Sequence, residues 1–167
     1  MNSRTSFHQS GVGLIEAMVA LLILTVGLIP VLAVVSSSNN LSALIRNNLI
    51  AANLAQESVE VVRGLRDENW FSGQSFDNGL IGTWRVQWDT SWTNPPQQVG
   101  TNPSLKFDSA TGLYGYSAGA DTQFKRTVTV SLVGTCNCEM KIVGEVTWPE
   151  RGRNRVIKAE SHLFNWK

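Results

Sequence analysis

The sequence predicts an α+β protein in which one long N-terminal helix precedes a C-terminal antiparallel β-sheet. Three observations carry this. Residues 17–35, AMVALLILTVGLIPVLAVV, form a charge-free apolar run. A three-and-four-spaced apolar pattern follows it to about residue 69. The remainder holds all six Trp and alternates apolar with polar residues in short segments. Only Phe7 of the 14 aromatic residues precedes Trp70. Two regions with different jobs explain that sorting better than one mixed core. The 167 residues allow one modest domain and an appendage. With 43% hydrophobic and 16% charged residues, the chain is not a wholly disordered one. A formal net charge of +1 argues against a nucleic-acid binder that relies on a strong basic field.

The apolar run approaches the roughly 20 residues needed to span a bilayer core. A buried helix of a soluble protein is the alternative, but such a helix usually carries a polar stripe, and Thr25 alone supplies none. Gly27 and Pro30 are costly inside a soluble helix and tolerated in membranes; they predict a kink or local loosening near Pro30. Residues 1–10 carry one fixed positive charge, Arg4, which favours a cytoplasmic N-terminus. An ordinary secretory signal would end in a small-residue cleavage motif, which Val34, Val35 and Ser36 approximate poorly.

Glu16 is the outlier at the edge of the span. A carboxylate at a bilayer centre costs about 2.5–3.5 kcal/mol on insertion scales, and less near the interface. Either it snorkels to the headgroups, or it finds a cationic partner within an assembly.

The series Gly11-Val12-Gly13-Leu14-Ile15-Glu16, followed by the apolar run, resembles the N-terminal motif of type IV pilins and pseudopilins. Val12 and Gly13 depart from the family's usual Phe and Thr. The resemblance implies a leader at residues 1–11 and a prepilin peptidase that cuts between Gly11 and Val12, then methylates the new Val12 amine. It makes Glu16 the fifth mature residue, pairing with the terminal amine of a neighbouring subunit to set register. It implies a pilin-like fold, no enzymatic activity and no cofactor. The implied partners are other pilin subunits, the peptidase, an inner-membrane assembly platform and the membrane itself. The precursor would sit in the inner membrane with its head outside, then join a cell-surface or periplasmic filament.

Residues 12–36 are thus the transmembrane and assembly helix, and 37–70 an amphipathic continuation. In the latter, Leu41, Ile45, Leu49, Ala52, Ala55, Val59, Val62 and Leu65 predict one apolar stripe, with Asn53, Glu57, Glu60 and Asp67 towards the other side. Glu60 and Arg63 are spaced to pair. The Ser36–Asn40 cluster is either a flexible break or part of a continuous helix, and a nearly continuous one is favoured. Residues 12–69 would then extend roughly 87 Å, too long to be buried in a globule of this size. Residues 54–70 also resemble the helix-to-head junction of minor pilins, and Leu163-Phe164-Asn165-Trp166 their ending.

Residues 71–167 are the β-rich head. Trp84, Val86 and Trp88 alternate with Arg85 and Gln87, predicting a half-buried strand with Trp84 and Trp88 in the core. Residues 90–104 carry Asn94-Pro95-Pro96 and Asn102-Pro103 and predict a loop, with Trp92 as a candidate exposed contact. Residues 105–108 and 113–116 flank a hairpin turn. Residues 124–133, 140–148 and 155–166 predict an antiparallel meander, with 149–154 as a charged turn.

Little in the head suggests chemistry. Cys136 and Cys138 are compatible with free or redox-labile thiols or with a disulfide within or between chains. A metal would need further ligands, for which no second Cys or His pair exists. His162 shares a strand face with Glu160; an exposed sheet face explains this more simply than an acid–base pair. Arg151, Arg153 and Arg155 suit a solvated hairpin end better than a DNA contact. The leading expectation is a structural subunit, a minor pilin or pseudopilin of a type IV pilus or related secretion or uptake system. Its rivals are a non-polymerising, single-pass anchored β-domain for binding or adhesion, and an anchored envelope enzyme.

Overall fold

The structure, a computed structural model, describes residues 12–166, except for the side chain of Val12. Helix α1 (Val12–Phe71) is unbroken, passing through Gly27, Pro30 and the Ser36–Asn40 cluster. Ser42 Oγ donates to the Ser38 carbonyl (3.0 Å), so a residue that elsewhere favours turns is satisfied within the helix. The end is sharply defined. The Gln74 amide donates to Asn69 O (2.9 Å), the Gly73 amide donates to Trp70 O (3.2 Å), and Gly73 takes φ 69°. This is a Schellman stop, which needs a residue that enters the left-handed region without strain.

The chain divides into two compact units, residues 1–46 and 47–167. In the first, residues 13–43 are all exposed.

The second unit is a two-layer head. Eight strands follow the helix: β1 (Gly82–Arg85), β2 (Gln97–Gln98), β3 (Lys106–Asp108), β4 (Leu113–Gly115), β5 (Ala120–Asp121), β6 (Lys125–Leu132), β7 (Glu139–Glu150) and β8 (Arg153–Phe164). The main sheet has the order β2-β1-β6-β7-β8, and a small one the order β4-β3-β5; every pairing is antiparallel. The expected meander is therefore present as β6-β7-β8. Its last turn is tighter than the charged stretch 149–154, because the pairing runs to Glu150↔Arg153. Arg151 (φ 51°) and Gly152 (φ 75°) alone form the bend, as in the two-residue turns that match strand twist.

The helix and sheet meet along a face that the spacing only half predicts. Ala51, Leu54, Ala55, Ser58, Val59, Val62, Leu65, Arg66 and Asn69 are buried. Leu41, Ile45 and Leu49, assigned to the same stripe, are exposed by more than half. Periodicity located an apolar helix face but not where the sheet stops covering it. The sheet supplies Val128 and Val130 from β6, and Met140, Ile142, Val146 and Trp148 from β7, all buried.

The first strand also sits earlier than expected. It closes at Arg85; Val86 is buried beyond it, and Trp88 lies 55% exposed. Trp84 packs against the core as expected, and Trp92 does so in place of Trp88. The Trp92 indole donates to Leu65 O (3.3 Å) and its ring lies over Gly79. A period-two pattern alone placed the two tryptophans the wrong way round, because the backbone leaves the strand after Arg85. Within the expected loop 90–104, Gln97 and Gln98 pair with β1.

Gly144 marks the closest approach of helix to sheet. A Cβ there would lie 2.5 Å from the Ala55 carbonyl oxygen and collide with Ser58 Oγ. Ser58 Oγ already donates to that carbonyl (2.7 Å), so neither atom is free to yield. Gly144→Ala should therefore destabilise the full chain by about 2–3 kcal/mol. Gly64, on an exposed helix position with nothing near its Cβ direction, should respond oppositely. Gly64→Ala should stabilise by about 0.5–1 kcal/mol. Thermal unfolding of the two variants in detergent checks the pair of signs.

Candidate assembly segment and polar sites of the head

The N-terminal unit is chemically simple. Within residues 12–45 Glu16 is the sole charged residue. It lies exposed one turn into α1, in a shallow apolar groove with Ile15, Val19, Ala20 and Ile23. No ion pair among the described residues involves it. Thr25, inside the apolar run, is satisfied within the helix: its Oγ1 donates to Leu22 O (2.9 Å). That matters in lipid, where an unbonded polar group has no water to turn to. The most apolar 18-residue window has a mean hydropathy of 2.9 and no buried residue, so the helix is long and apolar enough to cross a membrane. Pro30 offers no N–H to the preceding turn, yet the helix continues through it. Gly11 lies outside the described residues; Val12 is the first helical residue.

In the head, the main buried polar feature escaped the sequence reading. Arg126 on β6 is fully buried. Its Nη1 lies 3.0 Å from Glu57 Oε1, an ion pair outside good hydrogen-bond geometry. Nη1 also donates to Leu54 O (3.3 Å), and Nη2 to Val86 O (2.6 Å). It therefore joins α1, β6 and the chain leaving β1. The signal was available: Phe124, Arg126, Val128 and Val130 share one strand face, so the alternation that buries the valines also turns Arg126 inward.

Cys136 and Cys138 are joined to each other in a disulfide in the β6–β7 connection. Asn137 between them adopts φ 50°. Among the described residues no group of three His, Cys, Asp or Glu is placed to hold a metal ion.

His162 lies on the sheet face opposite the helix, between two carboxylates: Nδ1 is 2.5 Å from Glu139 Oε1 and Nε2 3.2 Å from Glu160 Oε1. Lys141 Nζ holds the other Glu160 oxygen at 2.8 Å. The hydrogen bond to Glu139, then that to Glu160, raises the imidazole pKa above its ordinary value. Bonds from Lys141 and His162 lower that of Glu160. A raised histidine stabilises below its unfolded pKa, and the gain is lost as pH rises through the folded one. A depressed carboxylate loses its gain as pH falls through its folded value. The cluster should thus stabilise the head in mildly acidic solution. The thermal midpoint gap between wild type and His162→Gln should be widest in mildly acidic solution, below the ordinary histidine pKa, and should shrink as pH rises through the raised folded value.

The arginines near the last turn are partly occupied. Arg155 Nε lies 3.5 Å from Glu150 Oε2, and Asn47 donates to the other Glu150 oxygen (3.3 Å).

The prokaryotic N-terminal methylation motif, as a family model, matches residues 6–32, which include Gly11, Val12, Glu16, Gly27 and Pro30. No curated protein and no solved structure matches the chain. The matched motif opens the apolar helix and the antiparallel sheets follow it, so the chain joins an N-terminal methylation motif to an α+β, pilin-like fold.

Proposed function

We propose that the chain is a structural subunit, a minor pilin or pseudopilin, built into a type IV pilus or a related secretion or uptake filament. The observation that carries this is the methylation motif at residues 6–32 on a helix whose residues 13–43 are exposed throughout. An apolar surface of that extent calls for lipid before assembly and for neighbouring helices after it. In this reading the precursor sits in the inner membrane with its head outside. The peptidase cuts after Gly11 and methylates Val12. Glu16, which makes no ion pair among the described residues, gains most from a neighbour's terminal amine as the subunit leaves the bilayer for the filament. The Cys136–Cys138 disulfide supports a head outside the cytoplasm, since such bonds persist in oxidising compartments. The contribution is mechanical, with the head setting partner choice and no catalytic step.

Fractionation of cells that express an epitope-tagged head from the native locus tests this. The tag should appear in sheared or extracted filaments together with other pilin subunits. A tag confined to membranes while filaments form normally would favour a static anchored β-domain.

A further inference from the structure

Beside β1 the head holds a cavity of about 380 Å³, within the range of small-ligand pockets. Its lining holds one cation, Arg85, and no carboxylate. Arg85 ends β1 with its guanidinium carbon 5.5 Å from the Tyr116 ring centroid. One of its nitrogens, Nη2, donates to Gln97 Oε1 (2.5 Å). Its Nε is buried and has no hydrogen-bond partner, and no carboxylate among the described residues pairs with it. The guanidinium at the cavity wall is thus a cation without a carboxylate partner, and an anion received there would gain a charge-assisted hydrogen bond.

The other groups narrow the ligand. With its carbonyl taken by Arg85, the Gln97 amide has its N–H₂ to give. Among the described residues, Asn94 and Ser117 leave their side-chain polar atoms without a partner. Pro95, Pro103 and the Tyr116 ring provide apolar walls. The space is much larger than one carboxylate group, and its spare amides and hydroxyl suit a polyhydroxylated body.

We propose that this cavity binds a carboxylate-bearing sugar of the hexuronate class, the carboxylate on Arg85 and the hydroxyls on Gln97, Asn94 and Ser117. The site is independent of the assembly role, since none of these residues belongs to the N-terminal helix.

Calorimetric titration of the full chain, in a detergent with no sugar headgroup, tests it with glucuronate, glucose and acetate. Glucuronate should bind saturably and at least about tenfold more tightly than either control. Arg85→Gln should bring glucuronate down to the level of glucose, and Asn94→Ala should weaken both sugars. Ser117→Phe fills the cavity with Arg85 intact and should abolish binding; it serves if Arg85→Gln shows a lowered thermal midpoint. Absence of saturable glucuronate binding overturns the proposal. So does equal binding of glucose, or binding unchanged in Arg85→Gln or Ser117→Phe.

Discussion

Arg126→Ala should cost the head about 3 kcal/mol or more, a large fraction of the roughly 5–15 kcal/mol that holds a typical domain folded. The substitution empties a fully buried site. It also removes the donor to the Val86 carbonyl, a second donor to the Leu54 carbonyl, and the cation facing the Glu57 carboxylate. A buried acceptor left without its donor, and a carboxylate left without its cation, each carry a desolvation cost. Glu57 remains 33% exposed, so water screens part of its loss, and the lower end of the range for broken buried ion pairs applies. Arg126→Met restores much of the volume and none of the donors, and should recover only a fraction of the stability. Adding Glu57→Gln to Arg126→Met should recover more, because it removes the stranded charge. Tryptophan fluorescence of the full chain during thermal unfolding reads the series. An unchanged midpoint in Arg126→Ala would contradict the anchoring role of this residue.

The second large effect concerns Glu16. On the assembly reading, Glu16→Ala should lower the share of mature subunit found in filaments by about tenfold or more, while insertion into the membrane is retained or improved. The two halves have one cause. A carboxylate in an apolar span opposes insertion by about 2.5–3.5 kcal/mol at the bilayer centre, so its removal helps the precursor. The same charge, paired with an amine away from water, helps the assembled state, and 1.4 kcal/mol already corresponds to tenfold. Glu16→Gln keeps the shape and loses the charge, and should fall between the two. Comparing processed subunit in sheared filaments with that left in membranes gives the ratio. Normal incorporation of Glu16→Ala would remove the pairing role, leaving Glu16 as a residue that merely reaches the headgroups.

Much of the architecture was legible because it is local. The apolar run, the helical continuation to the junction and the β6-β7-β8 meander each follow from periodicity within one segment. Gly73 and the Arg151-Gly152 turn mark sharp boundaries through backbone conformations that few residues adopt. What escaped depends on distant parts of the chain. The exposure of Leu49, within the head's own part of the helix, is set by where the sheet ends. Trp88 and Trp92 exchanged roles because the backbone leaves β1 early, which no alternation pattern records. The short strands β2 and β5 exist only through pairings with β1 and β3. Arg126 went unnoticed for another reason: a charged residue on a strand is expected to face water, and its burial makes sense only once Glu57 and two carbonyls are seen around it. The methylation motif was the most legible feature of all, since a lone carboxylate after Gly11, at the head of an uncharged run, needs no tertiary context to stand out.

The central claim, that the N-terminus is processed for assembly, is tested most directly by N-terminal mass spectrometry of the protein from native membranes and filaments, with Gly11→Ala alongside. The account predicts a wild-type chain that begins at Val12 with one methyl group on its amine, and a Gly11→Ala chain that keeps its leader. A wild-type terminus that retains residues 1–11 in cells with an active peptidase would contradict it.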